Sequence, residues 1–253
     1  MKILMALAAS DFDPTESAIP WKVLTEAGHE VVFATPDGQP ARADERMVSG
    51  RGLSIFKAML KARVDAVEAY ALMCEDAHFQ SPCCAYAQLG EQSFDGLLLP
   101  GGHAPGMKTY LESGSLQQAV ALAFVANKPV GAICHGVIVA ARSQDPSTGL
   151  SSLHGRKSTA LPRAMELSAW ALTCLWLGNY YRTYPETVEA EVRRRLADPR
   201  DFDAGPSSLL RDSPQHLKRG FVVRDGNYLS ARWPGDAYRF AQQFCAMLDE
   251  RKL

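Results

Sequence analysis

The chain has 253 residues, 47% of them apolar, with 27 basic against 28 acidic residues and a net charge of −1. That apolar share supplies a large core, and the length admits one α/β domain with additions or two small domains. The balanced charge gives no ground for a nucleic-acid partner or an anionic membrane surface, and no stretch is long enough to span a bilayer. Six cysteines show neither CxxC spacing nor the density of a small disulfide scaffold, which points to a reduced, cytoplasmic setting. Cys174 and Cys245 sit in apolar helical patterns and are expected in the core, while Cys83 and Cys84 form a vicinal pair in a loop-like segment.

The opening residues 1–9 carry a lysine, an apolar run and small residues, as a short signal peptide does. A buried first strand over 3–8 explains them equally well. Asp13 or Thr15 caps a helix over 16–27 that ends at Gly28, and a second strand runs over 30–35. Strand, helix and strand in under forty residues make a βαβ opening that would lose its first strand to cleavage, so residue 1 is kept in the fold. Helical periodicity over 53–73 reads as an insertion. A strand over 94–99 runs into Pro100-Gly101-Gly102-His103, a helix over 116–126 follows, and a strand over 130–133 meets a helix that reaches 142.

A short strand is expected over 157–161 and an apolar helix over 165–177. Residues 179–185 form an aromatic, turn-rich patch, and 186–196 form a charged helix. Arg193, Arg194 and Arg195 lie on it, read as the solvated face of a mixed-charge helix. Residues 199–214 read as irregular. Strands over 220–224 and 228–232 flank Asp225-Gly226-Asn227 as a hairpin, and a helix over 236–248 closes the chain. Alternating strands and helices predict a doubly wound, mostly parallel sheet with helices on both faces. The site of such a sheet lies beyond the carboxyl ends of its strands. The loops with Asp11 to Glu16, Gly101 to Pro105 and Cys134-His135 therefore converge on one edge.

Ala132-Ile133-Cys134-His135-Gly136 is the pattern of a nucleophile elbow, with small residues flanking a nucleophile on a strand-to-helix turn. The N–H groups and positive end of the following helix favour thiolate there; a small buried hydrophobe is the alternative. Gly101 and Gly102, with the His135 N–H, are candidate oxyanion donors, against an ordinary Gly-Gly turn. Glu16 in a first helical turn can share a proton with Cys134 or merely complement the helix dipole. His135 can orient or deprotonate the thiol, and His103 lines the same edge. A metal site at Glu75, Asp76 and His78 is weighed and set aside, so no metal and no cofactor are expected.

Four segments carry a resemblance to a known family. They are Asp13-Pro14-Thr15-Glu16-Ser17-Ala18-Ile19-Pro20, the run from Ala27 to Pro36, Phe94 through His103, and Ile133-Cys134-His135-Gly136. Together they resemble the ThiJ/PfpI superfamily, with its class I glutamine amidotransferase-like, flavodoxin-like sheet. Within it they look most like the heat-shock chaperone/glyoxalase III branch. The resemblance implies one domain over 1–253 with a helical insertion near 50–80 and a cap-like segment near 170–215. It implies Cys134 as nucleophile, His135 as its partner, Glu16 against the sulfur, and Gly101 and Gly102 as oxyanion donors. The implied reaction is cofactor-free conversion of methylglyoxal or glyoxal to a hydroxy acid, by a homodimer acting on a small carbonyl substrate.

Departures accompany that likeness. The acidic triad member expected after Leu161-Pro162 falls on Arg163, with Glu166 the nearest acid. The branch's metal ligands have no counterpart, and Ser230 to Asp236 replaces a Gly-rich turn. A redox-sensing or client-holding stress protein, and an isonitrile hydratase- or amidase-like enzyme, stand as the alternative readings.

Overall fold

The apolar run near the amino terminus forms the middle of the sheet because both of its faces are covered; Ile3, Leu4, Met5 and Ala6 are fully buried. The computed structural model describes residues 1–251. Its strands are β1 (Lys2–Ala6), β2 (Ser10–Phe12), β3 (Glu30–Thr35), β4 (Arg42–Ala43), β5 (Cys84–Ala85), β6 (Gly96–Leu99), β7 (Val130–Ile133), β8 (Val222–Asp225) and β9 (Tyr228–Ala231). Seven of them form one sheet in the order β5-β3-β1-β6-β7-β9-β8, while β2 and β4 pair separately. Every pairing in the large sheet is parallel except the β8–β9 hairpin at its edge.

Helix Pro14–Glu26 packs on one face of the sheet between Val64–Glu75 and Ala237–Asp249, and Gly114–Val125, Gly136–Arg142 and Val188–Arg195 pack together opposite. This is the doubly wound α/β architecture that the alternation of strands and helices predicts. The parallel order places the carboxyl ends of β1, β6 and β7 side by side, and the loops after them meet at one edge.

Several local expectations need correction. The periodicity over 53–73 is broken into a 3-10 turn (Ser54–Phe56), a single helical turn (Lys57–Leu60) and the helix Val64–Glu75. The strand expected over 157–161 is a lone bridge between Ser158 and Phe202. Cys174 and Cys245 are half-buried rather than core. The helix Val188–Arg195 is ion-paired along its surface, with Arg193 on Glu189 (2.8 Å) and Arg194 on Glu186 (2.8 Å).

The insertion and the cap-like segment pack on each other. Phe56 stacks on Trp176 with ring centroids 6.1 Å apart, and the Trp176 indole N–H donates to the Gly52 carbonyl at 2.9 Å. Met47, Leu53 and Tyr181 form a second small core between them. Near the carboxyl terminus, Arg232 and Asp236 make a fully buried, two-pronged ion pair with nitrogen–oxygen distances of 2.9 Å. Arg232 also donates to the Pro206 carbonyl at 2.7 Å, tying β9, the last helix and the irregular segment together. Among the described residues no helix is long and apolar enough to cross a membrane.

Candidate active site

Cys134 follows directly on β7 with a φ of +57°, in the left-handed region that L-residues avoid. Its N–H donates to the Ala231 carbonyl at 3.1 Å, so the sheet holds the strained residue from one side. The turn closes because Gly136 lies against β6: a Cβ there would meet the Leu99 carbonyl oxygen at 2.0 Å. The local sequence thus produces the elbow, and the neighbouring strand fixes it. The thiol is 5% exposed.

Glu16 reaches the same place from the first turn of helix Pro14–Glu26, whose N-cap is Asp13, accepting from the Thr15 N–H at 2.7 Å and the Glu16 N–H at 3.1 Å. The Glu16 Oε2 accepts from the Gly101 N–H at 2.9 Å, while Oε1 has no hydrogen bond to nitrogen or oxygen. The carboxyl neighbours the Cys134 thiol, and each perturbs the other. Burial, then the nearby Asp13, pushes the Glu16 carboxyl well above the usual range. Burial, then Glu16 and Asp13, does the same to the thiol. Two negative charges cannot coexist there, so the pair holds at least one proton between its members.

This geometry corrects the role expected of Gly101. Its N–H serves the Glu16 carboxyl and is not free for an oxyanion. A Cβ at Gly101 would come within 2.7 Å of that carboxyl oxygen and 2.8 Å of the His135 nitrogen, which explains the glycine. The Gly102 and His135 N–H groups donate to no backbone acceptor among the described residues, and the His135 N–H faces the Cys134 sulfur.

His135 is buried beside the thiol, its Nδ1 3.4 Å from Sγ. Its Nε2 lies 3.2 Å from the Thr183 hydroxyl, which donates its own proton to the His103 carbonyl at 2.7 Å. A hydroxyl has one proton to give, so Thr183 accepts from His135 Nε2–H. That assigns the tautomer and turns the Nδ1 lone pair toward the Cys134 S–H. Burial, then His103 and Arg142, lowers the His135 pKa to about 3, so the ring stays neutral near pH 7.

Thr183 is the residue that sequence reasoning missed. Glu166, the acid proposed in its place, does not touch His135. It accepts from the Val188 N–H at 2.9 Å and lies 3.4 Å from the Arg182 guanidinium. It therefore anchors the loop that carries Thr183. Other ties hold the same loop: Tyr180 donates to Asp44, and Arg142 donates to the Tyr184 hydroxyl at 3.2 Å. His103 stacks on Tyr181 at 4.2 Å between centroids and sits 3.9 Å from Asp44. Burial lowers its pKa to about 4, so the contact with Asp44 is not an ion pair at neutral pH. The Tyr181 hydroxyl, His103 Nε2 and the Thr15 hydroxyl are buried polar atoms with no hydrogen-bond partner among the described residues.

A small cleft, with room for about one water molecule, opens beside Thr15, walled by Arg63, Asp65, Arg211 and Asp212; Cys134 is not in its wall. No group of three or more His, Cys, Asp or Glu side chains suited to a metal ion occurs among the described residues. At the segment weighed for metal, Asp76 caps the short helix Ala77–Gln80 and His78 lies 3.7 Å from Glu30.

A strained cysteine on the elbow of a doubly wound sheet, with a buried glutamic acid against it, defines a class of site. The ThiJ/PfpI family-like model matches residues 7–206, and the chain belongs to that family. A deglycase of Pyrococcus horikoshii is 26% identical over 251 residues, spanning 98% of this chain and 99% of its own. The structure of glyoxalase III from Candida albicans superposes with a TM-score of 0.66 at 18% identity, over 98% of this chain and 97% of that one. The Rapid Encystment Protein of Francisella tularensis superposes at 0.68 with 15% identity, over 98% of each chain. These likenesses bear out the expected superfamily and fold.

Proposed function

We propose that the protein is a cofactor-independent, cysteine-dependent enzyme that converts a small 2-oxoaldehyde such as methylglyoxal to the 2-hydroxy acid. The observation that carries this reading is the Glu16 carboxyl, held by the Gly101 N–H beside the Cys134 thiol on a positive-φ elbow. Such a pair supplies a nucleophile and one proton carrier in contact with it.

In the singly ionised pair the proton passes from the Cys134 thiol to the Glu16 carboxylate, and the sulfur adds to the aldehyde carbon. The carbonyl electrons move to oxygen, which takes the Glu16 proton and leaves a hemithioacetal. The Glu16 carboxylate then removes the hydrogen from that carbon, giving an enediolate whose oxygen is met by the Gly102 and His135 N–H groups. Glu16 returns the proton to the neighbouring carbon, and the hydroxyl proton of the first carbon passes to the neighbouring oxygen. The product of these steps is a 2-hydroxyacyl thioester. Water adds to its carbonyl, the carbon–sulfur bond breaks, and the hydroxy acid leaves as the water's proton returns to the Cys134–Glu16 pair. His135 stays neutral throughout and orients the thiol through Nδ1.

The Pyrococcus relative's name, deglycase, supports a second substrate class for the same residues, a carbonyl-derived adduct carried on another molecule. A stress protein that holds unfolded clients is a different reading, and it calls for a contiguous apolar patch on the surface. Lactate formation from methylglyoxal without glutathione separates these readings. The native protein is expected to form lactate and Cys134→Ala to form none. Equal rates in both, or no lactate from the native protein, would remove the oxoaldehyde reading.

A further inference from the structure

A second pair of sulfurs lies far from Cys134. The Cys83 and Cys84 Sγ atoms are 3.7 Å apart, at the start of β5 on the sheet edge. In the sheet order β3, β1 and β6 stand between β5 and β7, which places this pair roughly 19 Å from the elbow strand at ordinary interstrand spacing. Neighbouring side chains in a regular strand point to opposite faces, which would separate the two sulfurs. Here the strand begins only at Cys84. Cys83 still belongs to the preceding turn, its N–H donating to the Phe33 carbonyl at 2.8 Å. The departure from strand geometry brings both thiols to one side. Cys84 is buried and Cys83 half-buried, so one sulfur meets solvent and the other waits behind it.

The spacing selects what can join them. A direct disulfide usually spans α-carbons about 4.4 to 6.8 Å apart, whereas adjacent residues across a trans peptide hold theirs at about 3.8 Å, so a bond closed directly between Cys83 and Cys84 is strained and easily reduced. A bridging atom bonded to each sulfur at about 2.3 Å spans the observed gap with an angle of roughly 107°. No third His, Cys, Asp or Glu completes a metal-holding group there among the described residues. The bridging centre must therefore be satisfied by two thiolates and a substituent of its own.

We infer that Cys83 and Cys84 form a chelating dithiol site for monosubstituted trivalent arsenicals. Cys83 displaces the first oxygen ligand of the arsenic, and Cys84 closes the ring with the second. Two sulfur–arsenic bonds form, the two thiol protons leave with the displaced oxygens as water, and no oxidation state changes.

Phenylarsine oxide added to the full-length protein tests this by intact-mass and peptide mapping. One adduct is expected, with the mass of the reagent less one water, on the peptide containing Cys83 and Cys84. It is expected to appear equally in Cys134→Ser, to resist excess glutathione, and to be reversed by 2,3-dimercaptopropanol. Cys83→Ser and Cys84→Ser are each expected to weaken it by about a hundredfold, the loss of an intramolecular second contact. Circular dichroism of both variants checks that they remain folded. An adduct on Cys134, an adduct that forms as tightly in either serine variant as in the native protein, or its removal by glutathione would overturn the proposal.

Discussion

Three hydrogen bonds in line connect Cys134 to a backbone carbonyl, through His135 Nδ1, His135 Nε2 and the Thr183 hydroxyl. The terminus is neutral, so nothing in the line stabilises an imidazolium, and the proton carrier beside the sulfur is Glu16. Thr183→Val removes the acceptor for Nε2–H in a buried place, an expected loss of about 1–3 kcal/mol in unfolding free energy. The His135 proton should then move to Nδ1, which 15N NMR of the ring reads directly, while Thr183→Ser keeps both the tautomer and the stability. An unchanged tautomer in the valine variant would contradict the assignment. Cys134, His135 and the Gly-Gly turn were legible in the sequence as short local patterns, whereas the place of Glu16 against the sulfur was implied only by the family resemblance. Thr183 was not legible: it lies 48 residues beyond His135 in a loop, and a neutral hydroxyl there carries no local pattern that marks it as the partner of a histidine. The engagement of the Gly101 N–H was also hidden, since it depends on a partner 85 residues away.

The element that carries Thr183 is secured by Glu166, a carboxyl buried on helix Arg163–Leu177. Burial raises its pKa to about 7, outweighing the Val188 N–H and the Arg182 charge, which lower it. The folded chain thus keeps a proton on Glu166 at pH values where the unfolded chain has released it. Folding takes up that proton between about pH 4.5 and about pH 7, and stability falls as pH rises through the window. Urea unfolding should therefore show the native protein losing stability relative to Glu166→Gln across this range and running parallel to it on either side. A difference that does not vary with pH would mean that Glu166 is ionised at the lower end. Element positions were largely readable from periodicity and turn residues. The breaks at Ser54 to Arg63 were not, because Phe56 and Leu60 there pack on the cap while Ile55 and Met59 are exposed, so their apolar spacing does not mark one buried helical face.

At the scale of the molecule, the doubly wound, mostly parallel sheet follows from the βαβ alternation and was legible, whereas the tie that closes the carboxyl-terminal end was not. Ser230 to Asp236 reads in the sequence as a replaced turn, and in the fold it delivers the buried Arg232–Asp236 pair. Asp236 also accepts from the Phe221 N–H at 2.8 Å, so one carboxyl holds the β9 end, the β8 approach and the last helix. Asp236→Ala strands a buried guanidinium, with an expected cost of about 3–5 kcal/mol. Guanidinium chloride unfolding measures it, and a cost below about 1 kcal/mol would mean that solvent reaches Arg232.

The central claim is that Cys134 and Glu16 act as one unit, with the sulfur as nucleophile and the carboxyl as proton carrier. It is tested most directly by lactate formation from methylglyoxal in Glu16→Gln, measured beside the rate of Cys134 alkylation in the same sample. The account predicts that lactate formation falls by about 10² to 10⁴. Cys134 should still alkylate, and faster near neutral pH, because burial still raises the thiol pKa but the Glu16 charge no longer adds to it. Lactate formation at the native rate in Glu16→Gln would contradict it.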